Sequence, residues 1–253
     1  MPRPFLLLQL SDSHIGSTWG EADSLDLTAA TVEHIRRLPD RPDAVVVTGD
    51  LVENGEAGEY AAFGGLVDRL GVPCYPLPGN HDDRAALRSH FGLPGQDGAP
   101  INYSVEIGPL RLVILDSTRP GEDGGDLGEA QLSWLDRELS AAPEQPTIVA
   151  MHHPPLLTGA PAWDRIGIPE DERRALGGVL ERHAQVRLVV GGHLHRAIAS
   201  RLADRPVLAA PAIYRAALPD FETNELKLGG SAPSYVLHAV VDGEITSHVL
   251  RAE

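Results

Sequence analysis

The sequence predicts an α/β fold, with one mixed sheet or two stacked sheets and helices on the outside. In the first half of the chain, short apolar runs alternate with stretches whose apolar residues recur at helical spacing, as in parallel strands connected by helices. Near the end, four strand-like runs follow one another without predicted helices, which indicates antiparallel pairing. The length of 253 residues allows a large core, and we expect residues 1–253 to form a single domain.

The first half of the chain is expected to contain three strands separated by helices. The runs 5–10 and 44–48 contain few polar residues, as is typical of central strands that are buried on both faces. Pro39 and Pro42 end the helix between them, because proline cannot continue a helix. The predicted elements are, in order, strand 5–10, helix 25–36, strand 44–48, helix 60–70, strand 72–77 and helix 84–91.

The second half begins with a predicted hairpin around Gly108-Pro109 and ends with a hairpin at Asp242-Gly243, a favoured two-residue turn. Residues 212–253 contain no recognisable motif, and we predict that they form a β-rich part of the same domain. The predicted elements are strands 102–107 and 111–115, helix 132–139, strand 147–151, helix 170–183, and strands 186–190, 198–202, 207–210, 235–241 and 245–250.

Composition and charge restrict the function. The net charge of −15 and the lack of a basic run argue against a nucleic-acid-binding surface and against binding to an anionic membrane. The apolar run 5–10 is too short to span a bilayer or to form a signal-peptide core. Cys74 is the only cysteine, so no intramolecular disulfide can form. These features predict a cytoplasmic protein.

Groups that can bind a metal follow five of the predicted strands directly. They are Asp12-Ser13-His14, Gly49-Asp50, Gly79-Asn80-His81-Asp82, His152-His153 and Gly192-His193-Leu194-His195. Each short motif alone is weak, since such residues are common in ordinary turns. Because the carboxyl ends of parallel strands open on one edge of a sheet, we expect the five loops to converge. Their combination predicts a metal site.

The residue types indicate which metals this site would bind. Carboxylate, amide and imidazole ligands suit Mn, Fe or Zn, and the lack of thiolates argues against a structural zinc site. In extended backbone, Asp12 and His14 would point the same way and could bind one ion together, while Asp50 has two oxygens with which to bridge two ions. The glycines before Asp50, Asn80 and His193 are expected to permit sharp turns.

This series of motifs resembles the signature of the calcineurin-like metallophosphoesterases and spans most of the chain. The run GNHDDRAALRSHF and the HHPP segment are most similar to the class III cyclic nucleotide phosphodiesterases and the glycerophosphodiester phosphodiesterases. The resemblance implies a four-layer α/β/β/α sandwich of two mixed sheets flanked by helices. It also implies two divalent metal ions, with Mn or Fe favoured and Zn compatible. The implied ligands are Asp12, His14, Asp50 and His195 for the first ion, and Asp50, Asn80, His152 and His193 for the second.

The resemblance further implies a phosphodiesterase that hydrolyses a small diester, such as a 3′,5′-cyclic nucleotide or a glycerophosphodiester. Two ions lower the pKa of a shared water, which becomes the nucleophile. Asn80, His81 and His195 are expected to contact the substrate, and we predict that His81 is the general acid for the leaving alkoxide. The alternative for His81 is a supporting role beside the metal ligands.

Other functions remain open for the same residues. A phosphomonoesterase would use the same metal centre, and a nuclease is disfavoured by the lack of a basic groove. A non-catalytic scaffold is the least favoured interpretation, because it would be expected to have lost ligands, whereas all seven ligands and His81 are present. The sequence leaves a homo-oligomer open.

Several residues near the motifs have two interpretations. His153 and Asp82 either orient metal ligands through hydrogen bonds or only shape their loops. Trp163 either forms a wall of the substrate pocket or packs in the core. Arg84 and Arg88 follow the third motif: either one of them reaches a substrate phosphate, or both lie on a solvated helix face, which is the interpretation we favour.

Overall fold

Thirteen strands and six α-helices form the described part of the chain, residues 3–96, 98–230 and 232–252 of a computed structural model. In chain order they are β1 (Phe5–Leu10), α1 (Ser24–Arg36), β2 (Ala44–Thr48), α2 (Ala57–Val67), β3 (Cys74–Leu77), α3 (Arg84–Phe91), β4 (Tyr103–Ile107), β5 (Leu110–Ile114), α4 (Glu129–Ser140), β6 (Thr147–Ala150), α5 (Pro161–Arg165), α6 (Glu170–Glu181), β7 (Val186–Gly191), β8 (Ile198–Leu202), β9 (Arg205–Ala209), β10 (Ala216–Ala217), β11 (Leu228–Gly229), β12 (Ser234–Val241) and β13 (Glu244–Arg251). The ends of the predicted elements differ from these by at most three residues. The sequence pattern does not predict the short elements α5, β10 and β11.

The strands form two large mixed sheets. The first sheet has the order β13-β12-β1-β2-β3, in which β1, β2 and β3 are parallel and β12 is antiparallel to β1. The second has the order β4-β5-β6-β7-β9-β8, in which β5, β6, β7 and β9 are parallel and the two edge strands are antiparallel. The expectation that all late strands pair antiparallel is therefore wrong for β9. This strand lies between β7 and the edge strand β8, and it is parallel to β7 and antiparallel to β8.

The side chains on the two faces of the second sheet belong to two different cores, and they alternate along each strand. On β5, Leu112 and Ile114 belong to the core shared with the first sheet, whereas Val113 belongs to a second core. Ile148 and Val149 on β6 divide in the same way. This period of two is what a strand buried on both faces requires.

Helices cover the outer faces of the sheets. The second core joins the second sheet to Leu135 of α4 and Leu176 of α6. On the first sheet, Val32 of α1 and Phe63 of α2 are completely buried within the shared core. The expected four-layer sandwich is therefore confirmed. Among the described residues, no helix is long and apolar enough to cross a membrane.

Side chains at the helix starts fix where the helices begin. Asp23 accepts hydrogen bonds from the backbone N–H groups of Leu25 and Asp26 at the start of α1. Asp83 accepts one from the N–H of Ala86 at the start of α3. Such caps satisfy donors that have no partner within the helix. The cap at Asp83 also ends the loop that contains Asn80, which positions this loop against the sheet.

Candidate metal centre

Five strand-end loops meet at one end of the two sheets. The loops after β1, β2 and β3 come from the first sheet, and those after β6 and β7 come from the second. Asp12 N donates to Gly49 O (3.1 Å), and Gly192 N donates to His152 O (2.8 Å). Across the sheets, His193 N donates to Asp12 Oδ1 (3.0 Å). The loops therefore converge as expected, but between two sheets rather than on the edge of one.

Five of the predicted ligands have a left-handed backbone conformation. Their φ angles lie between 46° and 64°. These residues are Asp12, His14, Asp50, His193 and His195. Non-glycine residues rarely adopt this region, which costs roughly 1–2 kcal/mol per residue and persists only where the surroundings enforce it. The expectation of extended backbone at Asp12 and His14 is wrong, because β1 already ends at Leu10.

The glycines before Asp50, Asn80 and His193 were expected to permit sharp turns. Only Gly49 does so, whereas Gly79 and Gly192 have a different role. Gly49 has a φ of 90°, as a sharp turn requires. Gly79 and Gly192 instead permit close approach, since a Cβ on Gly79 would lie 2.1 Å from Asp50 Oδ1 and one on Gly192 would lie 2.0 Å from Ser11 Oγ. At these two positions any larger residue would displace a neighbouring loop.

The first group of ligand atoms lies around Asp50. Nitrogen and oxygen atoms of Asp12, His14, Asp50 and His195 all lie within 4.8 Å of one another, and all four residues are buried. His14 Nε2 is 3.1 Å from His195 Nε2 and 3.5 Å from Asp50 Oδ2. The structure thus brings together the four residues expected to bind the first ion.

The second group shares Asp50 with the first. His152 Nε2 lies 3.4 Å from Asp50 Oδ2 and 3.0 Å from Asn80 Oδ1. His193 Nδ1 lies 3.2 Å from the same Asn80 oxygen. The two groups are therefore continuous, and Asp50 lies between them, where one carboxylate could contact two ions.

Each of the four histidines donates a hydrogen bond away from the cluster. The outer bonds are His14 Nδ1 to Glu53 Oε2 (3.0 Å), His152 Nδ1 to Thr48 O (2.8 Å), His193 Nε2 to Ile166 O (3.1 Å) and His195 Nδ1 to Arg215 O (2.7 Å). The carbonyl oxygens at three of these bonds can only accept, and so can the ionised Glu53 carboxylate at the fourth, so each of these nitrogens carries the proton. In the neutral ring, the other nitrogen then presents a lone pair to the cluster.

This arrangement fits bound cations. The inner nitrogens face each other and the oxygens of Asp50 and Asn80, all of which are acceptors. Asp12 Oδ2 is buried and has no hydrogen-bond partner among the described residues. Acceptors that face acceptors repel one another, and a divalent cation between them would replace this repulsion by coordination. The mixture of nitrogen and oxygen donors suits Mn, Fe or Zn.

Electrostatics keeps His14 and His193 neutral and pairs His152 with Asp50. Burial lowers the pKa of His14 to about 3, and burial beside two other histidines lowers that of His193 well below its usual value. Burial also opposes protonation of His152, but the Asp50 carboxylate and its hydrogen bond raise the pKa of His152 to about 9. The facing His152 in turn lowers the pKa of Asp50, against the effect of burial. Without a metal ion, a proton on the inner nitrogen of His152 would balance Asp50. A bound cation would replace that proton and leave the nitrogen free to coordinate it.

His81 lies beside the cluster, and one of its ring nitrogens lies within 4.8 Å of ligand atoms of His14 and Glu53. Its backbone N–H donates to Asp50 Oδ1 (2.9 Å), and its ring is 4.9 Å from that of His14. Nδ1 is 3.3 Å from the Glu53 carbonyl oxygen, so this nitrogen carries the proton and Nε2 is left for another partner. The side chain is 26% exposed.

A cavity of about 300 Å³ opens onto the cluster. Three predicted substrate contacts line it, namely Asn80, His81 and His195. Its other walls are largely apolar or aromatic. Apart from the cluster residues His14, Asp50 and His193, they include Trp19, Trp163, Ile166, Leu226 and Leu228, together with the charged Asp123.

Two of the open interpretations receive structural answers. Asp82 accepts hydrogen bonds from the N–H groups of Gly79 (2.8 Å) and Leu51 (3.2 Å), so it connects the loops that contain Asn80 and Asp50. Trp163 is only 8% exposed and also lines the cavity, so it both packs and forms a wall.

His153 is buried beside the cluster. Its ring centroid is 4.4 Å from that of His193, and its Nε2 donates to Asp123 O (3.0 Å). This ring therefore supports His193 by packing, while its own hydrogen bonds lie outside the cluster.

The expectation of a solvated face for Arg84 and Arg88 is wrong. Arg88 is buried and donates to the carbonyl oxygens of Pro94 and Ala99 (both 2.9 Å). Arg84 lies 2.8 Å from a carboxylate oxygen of Asp116. Their helix packs against a neighbouring loop that spacing alone could not place.

Sequence reasoning missed several residues around the site. Glu53 and Arg215 accept hydrogen bonds from metal-ligand candidates, and Trp19 packs 4.7 Å from the His14 ring. Glu53 lies three residues after Asp50, a spacing that could have suggested it. Trp19 and Arg215 belong to no motif and are near the cluster only because of tertiary structure.

Comparison with known proteins places the chain in a family. The sequence model of the calcineurin-like phosphoesterases matches residues 5–197. The chain belongs to this family of metallophosphoesterases, which are hydrolases with a dinuclear metal centre, and the two ligand groups provide a plausible centre of that kind. The resemblance seen in the motifs is thus confirmed.

Individual relatives are phosphodiesterases by name. A cAMP/cGMP dual specificity phosphodiesterase of Mycobacterium tuberculosis is 36% identical over 83% of this chain and 68% of its own length. A glycerophosphodiester phosphodiesterase of Enterobacter lignolyticus is 31% identical over 96% and 90%. A dimetal phosphatase from Danio rerio has a TM-score of 0.71 with 16% identity over the full length of both chains, which supports the fold alone.

Proposed function

We propose that this protein is a metal-dependent phosphodiesterase that hydrolyses a small diester at a dinuclear metal centre. The observation that supports this most strongly is the orientation of the four histidines. Each donates its proton outward, so that inner lone pairs and the oxygens of Asp12, Asp50 and Asn80 face one another. Such a cluster of acceptors has little purpose without cations.

The metal ligands are part of the proposal. Asp12, His14, Asp50 and His195 would hold one ion. Asp50, Asn80, His152 and His193 would hold the other. When bound, two divalent ions supply Lewis acidity and lower the pKa of water to about 7. Mn or Fe is favoured and Zn is compatible with the same donors.

The protein side chains would position the substrate and move one proton. Asn80, His81 and His195 line the cavity next to the cluster and would contact the phosphoryl group. With Nδ1–H held by Glu53 O, a protonated His81 would give the proton on Nε2 to the leaving alkoxide. Half-buried Asp82 would keep the Asn80 and Asp50 loops at a constant separation during this step.

The names of the relatives favour a diester. They include a cyclic nucleotide phosphodiesterase and a glycerophosphodiester phosphodiesterase, so either class is a suitable first candidate. A phosphomonoesterase is the second candidate, since the same metal ligands could serve it. We treat residues 1–253 as one domain, because β12 and β13 extend the sheet that contains β1.

A hydrolysis panel tests the proposal. Protein treated with a chelator and then reloaded with Mn would be assayed on cyclic AMP, a glycerophosphodiester, an aryl diester and an aryl monoester. We expect hydrolysis that depends on Mn and prefers at least one diester to the monoester. A clear preference for the monoester would contradict the diesterase assignment, and no metal-dependent hydrolysis would favour a scaffold.

A further inference from the structure

Arg215 lies at the meeting point of the metal cluster and two cavity walls. Its carbonyl oxygen accepts the hydrogen bond from His195 Nδ1 (2.7 Å). Its φ angle is 53°, a conformation that non-glycine residues rarely adopt. The strained backbone places the carbonyl toward the cluster while the side chain extends elsewhere.

The guanidinium group connects two segments that are far apart in sequence. Nη1 donates to the carbonyl oxygen of Trp19, and Nη2 donates to that of Leu228 (3.1 Å). A Cβ on Gly20 would lie 3.3 Å from Arg215 Cδ, so the 19–20 segment also rests on the arginine stem. The planar fork of an arginine can serve two acceptors at once, which a lysine ammonium does less well.

Both connected segments form walls of the cavity. The indole of Trp19 lies 4.7 Å from the His14 ring and 5.3 Å from the His81 ring. Leu228 lines the same cavity from strand β11. Trp19 is 37% exposed, so part of its ring remains accessible beside the metal cluster.

We propose that Arg215 is a positioning residue for the substrate. It holds the Trp19 and Leu228 walls at a defined distance from each other and from His195, so that the cavity fits the organic group that a diester retains after cleavage. This inference rests on the proposed phosphodiesterase activity. It predicts that loss of the guanidinium weakens binding of diesters with a large apolar group much more than it slows the chemical step.

Two diesters with the same leaving group separate these effects. Bis(4-nitrophenyl) phosphate and methyl 4-nitrophenyl phosphate both release 4-nitrophenol, but they retain an aryl and a methyl group. In Arg215→Met, we expect KM for the aryl diester to rise by about tenfold, as the loss of two hydrogen bonds to the walls would produce, with a smaller change for the methyl diester. The kcat values should stay within about threefold. Arg201→Met is the matched control, because Arg201 bonds only within its own hairpin among the described residues.

A second readout requires no activity. In metal-free protein with Trp134→Phe, the remaining tryptophans Trp19 and Trp163 both line the cavity. Acrylamide should quench their fluorescence more strongly after Arg215→Met than after Arg201→Met. In the separate Mn-loaded protein, the metal content of Arg215→Met should match that of the unmodified protein, because the bond from His195 goes to the backbone of residue 215.

The outcomes distinguish the inference from the proposed function. Equal KM ratios for the two diesters and equal quenching in Arg215→Met and Arg201→Met would overturn the role of Arg215. Absence of diester hydrolysis in the unmodified protein would contradict the proposed function, and the quenching result would then decide alone whether Arg215 holds the walls. If Arg215→Met does not fold, Arg215→Lys decides: an intermediate rise in KM and quenching supports the proposal, and values equal to the unmodified protein refute it.

Discussion

The metal cluster and the cavity rim are built in opposite ways. Six of the seven candidate ligands are buried, and four histidines have outer hydrogen bonds that fix their orientation. On the rim, Trp19 is 37% exposed and Leu226 is 44% exposed. The rim is attached to the cluster through few contacts, of which those of Arg215 are the most direct.

This difference reflects what each region must do. Ligands for a cation must be placed within a few tenths of an ångström before the ion arrives, which requires specific residue types at specific positions. An apolar wall only needs suitable surface, which several residue types can supply. The cluster therefore determines the class of chemistry, and the rim determines which ester fits.

Replacing the shared oxygen of the cluster should have the largest effect. In Asp50→Asn, we expect activity to fall by more than the roughly 100-fold that changes in outer hydrogen-bond partners cause. Because Asp50 lies between both ligand groups, we also expect fewer metal ions per chain. Activity assays and elemental analysis measure the two effects. Asp204→Asn is the control, since that side chain is 94% exposed in a hairpin. Retained activity with two ions would show that Asp50 is not shared.

His81→Ala tests a residue that lies between the two regions. We expect both ions to remain bound and kcat to fall by about 10²–10⁴-fold, because the residue is proposed to transfer a proton and not to bind metal. His248→Ala on the exposed terminal strand is the control. Unchanged kcat with full metal content would remove the catalytic role, and lost metal would favour the supporting role instead.

The sequence predicts the cluster better than the rim for the same physical reason. Asp12, Asp50 and His193 could be found because each follows a strand, and the ends of strands meet by simple geometry. Trp19 and Arg215 could not be found, because nothing in their local pattern places residue 19 beside residue 215. The contribution of two sheets to one site, and the left-handed conformation of Asp12, likewise depend on packing between layers.

Glu53→Gln tests the connection between the cluster and His81. The carboxylate accepts a hydrogen bond from His14 Nδ1, and its other oxygen lies 3.6 Å from His81 Nδ1, whereas a glutamine has only one oxygen for both. We expect metal affinity or activity to fall by about 10–100-fold, measured by metal titration and by kcat. Glu106→Gln, on the exposed side of β4, is the control. Wild-type metal affinity and activity would mean that His14 needs no such partner.

His238 should affect stability and not activity. It is buried, with Nε2 3.1 Å from Gln9 Oε1, and burial lowers its pKa to about 4. Below about pH 6.5, His238 is protonated in the unfolded chain but stays neutral in the folded chain. Its contribution to the free energy of unfolding is therefore complete above about pH 6.5 and is lost as the pH falls toward 4. His238→Gln should reduce this loss by about 3 kcal/mol, measured by urea unfolding at pH 7 and pH 4, whereas His90→Gln, at the exposed end of α3, should not. Equal losses in both variants would refute the assignment.

The most direct test of the metal centre is anomalous diffraction from crystals grown with Mn. The orientation of the histidines predicts two peaks: one among Asp12, His14, Asp50 and His195, and one among Asp50, Asn80, His152 and His193. A single peak, or peaks outside this cluster, would contradict a dinuclear centre bridged by Asp50.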